Sequence, residues 1–181
     1  TPAQAARLAA ELAHLIDAIE TEAVSLDELA TLVPAEHSAH WQQTLDFLRI
    51  VTEFWPAHLA EHGLISPADR RNRLIRAEAR RLIASPPAHP VIVAGVTGSV
   101  PATAELMRAV ASLPNGAIGL PGLDMHLEPA TFARLAEHHP EHPQHGLARL
   151  LGQLGVARAD VVELAGAALP ARRTARNVIV S

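Results

Sequence analysis

The pattern of apolar and polar positions divides the chain into a helical first part and a mixed second part. Residues 3–20 carry apolar side chains, among them Leu8, Leu15 and Ile16, at spacings of three and four. That period predicts an amphipathic helix. A capping-box pattern formed by Ser25 and Glu28 then predicts a short helix that stops near residue 34.

Two longer helices are expected next. One begins near Glu36 and keeps Trp55 or Leu59 on its buried side, and Pro56 should kink or break it before Gly63 ends it. The other begins at the cap residue Ser66, followed by a proline and an acidic first turn, and runs to about residue 84.

The second part alternates short apolar runs with helical patterns. Residues 91–94 and 117–120 predict two strands, and residues 101–113 predict a helix between them, which is a βαβ unit with a right-handed crossover. The continuous apolar run at 91–94 is typical of a parallel strand buried on both faces. Further expected elements are helices at 129–138 and 145–154 and strands at 160–164 and 178–180.

The predicted fold class is therefore α/β. A helical region (residues 1–86) packs on a small, mainly parallel sheet flanked by helices (residues 87–181). No apolar run approaches the roughly 20 residues of a membrane span, so we expect a cytoplasmic protein with no membrane partner. Both ends suggest a piece excised from a longer protein.

Composition excludes several kinds of chemistry. The 181 residues include no cysteine, so there is no disulfide, thiol nucleophile, zinc knuckle or iron–sulfur cluster. All 15 positive side chains are arginine, which removes the lysines of P-loops, Schiff bases and kinases. The net charge of −4 excludes a uniformly basic nucleic-acid binder but leaves room for a local basic face.

Two patterns are candidates for binding anions. A glycine-rich turn with Gly95, Thr97, Gly98 and Ser99 lies between a strand and a helix, where backbone N–H groups and the helix dipole favour an anion. It is neither a P-loop nor a dinucleotide fingerprint, so a turn that simply needs glycine is the alternative. The second pattern is a run of six arginines between residues 70 and 81; its candidate contacts on one helix face are Arg70, Arg73, Arg76 and Arg80. A solvated or ion-paired face is the alternative.

Histidine patterns give weaker indications. His58, Glu61 and His62 match H-x-x-E-H, the inverted zinc-peptidase pattern, but Pro56 and Gly63 bound that helix closely, and we expect no metal. A polar cluster from Asp124 to residue 145 is rich in histidine and interrupted by prolines, which indicates a solvated loop with incidental affinity for transition metals. No catalytic nucleophile is expected.

Several long blocks resemble a known family. They are HWQQTLDFLRIVTEFWP (residues 40–56), GLISPADRRNRL (63–74), PVIVAGVTGSVPATA (90–104), LPGLD (120–124) and HPQHGLARLL (142–151). These blocks resemble the AddB subunit of bacterial AddAB helicase–nucleases, in the form found in alphaproteobacteria. The likeness covers most of the chain from about residue 8 onward.

The resemblance implies an internal piece of the helicase-like region of a DNA double-strand-break repair enzyme. In that family ATP with Mg²⁺ and an iron–sulfur cluster belong to the whole machine, so no cofactor is expected in this piece, and the partners are the AddA subunit and DNA. By analogy with superfamily 1 helicases, Thr97 to Ser99 stand where a polar Gln–Ser pair is usual, and no Gln is present. That departure indicates a degenerate motor domain.

The sequence therefore predicts a non-catalytic scaffold or DNA-channel part. Arg70, Arg73, Arg76, Arg80, Thr97, Gly98 and Ser99 would contact phosphates rather than read bases. The rival hypothesis is a small-molecule or phosphate-binding α/β enzyme whose site lies in the crevice at residues 95–99 and Asp124. A third is a protein-interaction module with an exposed apolar patch on the helical half.

Overall fold

The computed structural model describes residues 1–24 and 48–163 of the chain. It divides into two compact units: Thr1–Arg76 with Val100–Ala102, and Ala77–Ser99 with Thr103–Ser181. The predicted limits at residues 86 and 87 stay a prediction. Four predicted elements lie at least partly outside the described residues, namely the helix capped by Ser25, the first turns of the helix from Glu36, the end of the strand at 160–164 and the strand at 178–180. In the described residues, no helix is long and apolar enough to cross a membrane.

The first unit begins with helix α1 (Pro2–Glu22), close to its predicted bounds. The Thr1 side chain accepts the backbone N–H of Gln4 and the Gln4 side chain returns to the Thr1 backbone, which completes a capping box. The apolar stripe is only partly covered, because Ile16 is buried whereas Leu8 and Leu15 are exposed.

The helix continues through Pro56 with a local change of hydrogen-bond register, so the expected break is absent. A π-helical turn (Ile50–Phe54) precedes helix α2 (Trp55–Glu61), and the N–H of Trp55 bonds the carbonyl of Ile50. The π-helical turn ends two residues before the proline, whose missing N–H and ring disfavour a regular α-helix there. Gly63, at φ +62°, then ends α2 as predicted.

Helix α3 (Pro67–Ala84) starts at the predicted cap. The buried Ser66 hydroxyl accepts the N–H of Asp69 at 3.0 Å and donates to the Glu20 carboxylate. The buried amide of Asn72 donates to the Glu20 carbonyl at 2.8 Å. These bonds fasten the first turns of α3 to the end of α1, since a buried polar group needs a partner.

The second unit contains a two-stranded parallel sheet flanked by helices, which confirms the mixed α/β class. Strand β1 (Val91–Ala94) pairs with β2 (Gly116–Gly119), with Val91 opposite Gly116, and helix α4 (Pro101–Ala111) lies between them in sequence. The predicted α4 is two residues too long and the predicted second strand is one residue too late.

Burial of β1 on both faces was the wrong expectation. Val91 and Val93 pack on a cluster formed by Leu82, Val110 and Leu113, but Ile92 is 69% exposed. Alternate side chains of a strand point to opposite faces, so within residues 1–24 and 48–163 packed side chains cover the face of Val91 and Val93 and leave Ile92 exposed.

Helices α5 (Pro129–His138) and α6 (His145–Leu154) have their predicted bounds. Phe132 and Leu135 of α5 pack with Ala148 and Leu151 of α6. On its other side α6 contributes Leu150, which packs with Ala104 and Met107 of α4. Helix α6 therefore connects two parts of the same core.

The strand predicted at residues 160–164 is wrong over its described part. A 3₁₀ turn (Arg158–Asp160) ends at the first residue of the predicted strand, and residues 161–163 pair with no strand of the described chain. The Arg158 side chain donates to the carbonyls of Asp124 and Leu127.

Candidate nucleic-acid interface

The loop between β1 and α4 is held in place by one glycine. Gly98 is buried at φ +62°, and a Cβ added there would lie 2.6 Å from the Leu150 Cδ1 and 3.2 Å from the Met107 Sδ. The side chains on either side of it, Thr97 and Ser99, are exposed. The loop thus packs its centre against the core and presents two hydroxyl groups to solvent just before the first residue of α4.

Gly95 has a different role from Gly98. It adopts φ +75° at the end of β1, and a Cβ there would meet nothing within 4 Å. Only the backbone angle favours glycine at this position. The prediction of a turn that needs glycine therefore holds at both positions, and at Gly98 close packing adds a second requirement.

The arginines of α3 fall into paired and exposed groups. Arg73 bonds Asp69 through two nitrogens, at 2.7 and 3.0 Å, and this hydrogen bond raises the pKa of Arg73. Arg81 bonds Glu78 in the same two-nitrogen manner and lowers the pKa of that carboxyl. In each pair the two residues lie one helical turn apart on an exposed surface, where ion pairs add little stability.

The remaining arginines of α3 have other surroundings. Arg71 donates to the Thr21 hydroxyl. Arg70 and Arg80 are exposed, and neither forms an ion pair within residues 1–24 and 48–163. Four residues of this helix were predicted to contact phosphate. Arg70 and Arg80 have no acidic partner in the described residues. Arg73 is paired with Asp69, and Arg76 is half-buried with a partner of its own.

The predicted contacts are divided between the two units. Arg70, Arg73 and Arg76 belong to the first unit, whereas Arg80 and the loop with Thr97, Gly98 and Ser99 belong to the second. The structure therefore brings Thr97 and Ser99 together on one loop, and it places the arginines on one continuous helix that runs through both units.

Asp124, the predicted crevice residue, is used within its own turn. Its Oδ1 accepts the N–H of His126 at 2.8 Å and that of Leu127 at 3.0 Å, which is an Asx-type turn. Its own N–H donates to the Gln144 Oε1 at 2.9 Å. The carboxylate therefore organises residues 124–127, and the enzyme hypothesis gains no support from this geometry.

Gln144 and Arg158 are structural residues that the sequence patterns missed. The Gln144 Nε2 donates to the Gly122 carbonyl at 2.8 Å. The Arg158 guanidinium donates to the carbonyls of Asp124 at 3.0 Å and Leu127 at 2.5 Å. The same guanidinium lies 4.5 Å from the centre of the Phe132 ring. Gln144 lies within the block at residues 142–151, but the sequence assigned a role to neither residue because their partners are 20 to 34 positions away.

The histidine-rich segments bring no three potential metal ligands together in the described residues. Across residues 1–24 and 48–163, no group of three or more His, Cys, Asp or Glu side chains is arranged to hold a metal ion. In the second unit, the His145 Nδ1 lies 2.7 Å from the Leu135 carbonyl, and the His142 Nδ1 accepts the N–H of Gln144 at 3.1 Å. These rings serve local backbone contacts.

A groove in the first unit was not anticipated. It has a volume of about 300 Å³ between α1, α2 and the start of α3, with Glu20, Asp69 and Arg73 among its polar residues. The buried Trp55 Nε1, in its wall, has no hydrogen-bond partner among the described residues. The only sequence signal for it was the apolar stripe containing Trp55 and Leu59.

No protein-family model, curated protein or solved structure matches this chain. The family resemblance therefore remains an expectation based on the sequence blocks.

Proposed function

We propose that this chain is a non-catalytic part of an AddB-type subunit in a DNA double-strand-break repair helicase–nuclease. Its role would be to shape the DNA channel of a degenerate motor domain, in contact with AddA and with the phosphate backbone. The chain has neither cysteine for a cluster nor lysine for a P-loop, so it does not itself fit the family's iron–sulfur or Walker-type chemistry.

The observation that best supports this proposal is the loop fixed by Gly98. Because Leu150 and Met107 leave no room around Gly98, the loop presents Thr97 and Ser99 at a set position beside the start of α4. Hydroxyl groups and helix N-termini are common donors to DNA phosphates, and they position DNA without reading its sequence. Arg70 and Arg80 would add charge that no acidic side chain in the described part of the chain pairs with.

The direct test is binding of the whole chain to a labelled duplex with a single-stranded tail, measured by fluorescence anisotropy across a salt series. We expect affinity that falls steeply with salt. Each duplex phosphate contact contributes about 0.9 to the slope of log K against log salt. Arg70→Ala and Arg80→Ala should each reduce that slope by ~0.9 and weaken binding equally for different DNA sequences.

Arg81→Ala is the matched control. It removes the same charge from the same helix, but Arg81 is already bonded to Glu78. It should change the slope less than Arg70→Ala does. Absence of binding at low salt contradicts a DNA-channel role for this chain and leaves contact with AddA as the role to test, by co-purification with that subunit.

The loop is tested separately with Thr97→Val and Ser99→Ala. Each variant removes a hydroxyl donor without touching the buried Gly98. Weaker DNA binding with an unchanged salt slope is the expected result, because neutral donors release no counterions. Unchanged affinity in the double variant argues against the loop as a phosphate contact.

A further inference from the structure

The end of α2 carries two imidazole rings in contact. His58 and His62 are one helical turn apart, and their ring centroids are 4.3 Å apart with the planes tilted by 41°. Both residues are exposed. Residues spaced by four lie on the same side of a helix, so both rings can reach one point in the solvent.

A backbone hydrogen bond determines which nitrogen of His62 is available. The His62 Nδ1 lies 2.9 Å from the His58 carbonyl oxygen. A carbonyl can only accept, so the proton of the neutral ring is on Nδ1, and Nε2 keeps its lone pair. Histidines that bind metals commonly donate their other ring nitrogen to a carbonyl in this way, which fixes ring orientation.

The surroundings of the two rings favour a cation. They lie at the carboxyl end of α2, the negative end of the helix dipole, and Glu61 is exposed between them in sequence. The chain leaves the helix at Gly63, where the N–H groups of Gly63 and Leu64 bond the carbonyls of Ala60 and Leu59. A Cβ at Gly63 would meet nothing within 4 Å, and both His62 and Gly63 are exposed.

We propose that His58 and His62 form a two-nitrogen binding site for a divalent transition-metal ion, with Cu²⁺ preferred and water completing its coordination. Imidazole ligands suit Cu²⁺ and Ni²⁺, and Cu²⁺ stands highest in the affinity order of the divalent first-row metals. Zn²⁺ sites in proteins use three or four protein ligands, and no group of three is present within the described chain. The site is a binding site and not a peptidase centre, and it is independent of the proposed function.

The structure supplies its own reporter. The Trp55 ring stacks on His58, with centroids 5.9 Å apart and planes tilted by 22°. Bound Cu²⁺ quenches indole fluorescence at such short range. In a Trp41→Phe background Trp55 is the only tryptophan, because the sequence has two. Titration of the untagged full chain with CuCl₂ should therefore give saturable quenching at one equivalent of metal.

Single substitutions locate the site. His58→Ala and His62→Ala should each weaken Cu²⁺ binding by at least about tenfold. Loss of a residue that only hydrogen-bonds to a metal ligand already lowers metal affinity by about 10–100-fold. His89→Ala is the matched control, since His89 is also exposed but lies in the linker before β1. Zn²⁺ should bind more weakly than Cu²⁺ in the same assay.

Two results would overturn the proposal. One is the absence of saturable quenching, and the other is equal Cu²⁺ affinity of the parent, His58→Ala and His62→Ala, which would assign the metal to other histidines. Far-UV circular dichroism, and the variants His58→Gln and His62→Gln, separate lost ligands from lost helix. Electron paramagnetic resonance of the Cu²⁺ complex should show two coordinated nitrogens in the parent and one in each variant.

Discussion

Gly98→Ala tests the packing of the β1–α4 loop most directly. An alanine at φ +62° costs about 1–2 kcal/mol for the left-handed backbone. Its methyl group would lie 2.6 Å from the Leu150 Cδ1, and Leu150 is 1% exposed, so it has little room to move. Overpacking of this kind costs a further ~1–3 kcal/mol. We expect a total loss of about 2–5 kcal/mol in the free energy of unfolding.

Gly95→Ala is the internal control for this substitution. Gly95 also has a positive φ, but nothing lies within 4 Å of its added Cβ. Gly95→Ala should lower the free energy of unfolding only by the backbone cost of about 1–2 kcal/mol. The difference between the two variants therefore measures the contact with Leu150 and Met107 alone.

Hydrogen exchange is the appropriate assay, because neither tryptophan lies in the second unit. Backbone amides of α4 and α6 should exchange faster in Gly98→Ala than in Gly95→Ala. The thermal midpoint should fall by roughly 2–4 °C for each kcal/mol lost. In a double-mutant cycle, Leu150→Ala should relieve part of the cost of Gly98→Ala. Equal destabilisation by Gly98→Ala and Gly95→Ala, or additive effects in the cycle, would refute the reasoning.

Three further predictions concern the second unit. Gly116→Ala should prevent folding of the second unit, because the Cβ would lie 1.8 Å from the Val110 carbonyl oxygen and a backbone atom cannot move aside. The measurement is the loss of hydrogen-exchange protection of the backbone amides in α4. Asp124→Ala should lower the free energy of unfolding in urea by about 1–3 kcal/mol, whereas Asp124→Asn, which keeps an acceptor for the two N–H groups, should lose less. The pKa of Glu128 is lowered mainly by the N–H of Thr131, so its contribution to stability is present above the ordinary value of 4.5 and is lost as pH falls through the lower folded-state pKa. Glu128→Gln should therefore reduce the fall in thermal midpoint on acidification below pH 4.5, and an unchanged slope would contradict this.

The helices were largely predictable because their signals are local. Ser66 as a cap and Gly63 as a stop each act through neighbouring backbone groups, and both predictions are confirmed, whereas Pro56 changes the hydrogen-bond register without breaking the helix. The candidate site was only partly predictable. The glycine-rich turn was found from its position between a strand and a helix, but the reason why Gly98 must be glycine is Leu150, 52 positions along the chain.

Charge pairing on α3 was left open by the sequence for a different reason. A run of arginines predicts a basic face, yet Arg73 and Arg81 have acidic partners on the same helix while Arg70 and Arg80 have none in the described chain. The acidic partners lie four and three residues away, so the spacing permits both pairs but does not choose them over other neighbours.

The sequence by itself determined the kinds of elements, their order and most of their bounds, because hydrophobic period, caps and prolines act over a few residues. The tertiary structure decided which face of β1 is covered by the described side chains, that Gly98 packs against Leu150, and which carbonyls Arg158 bonds. Each of these outcomes depends on partners distant in sequence. Such contacts form only when the chain packs, so no local pattern could specify them.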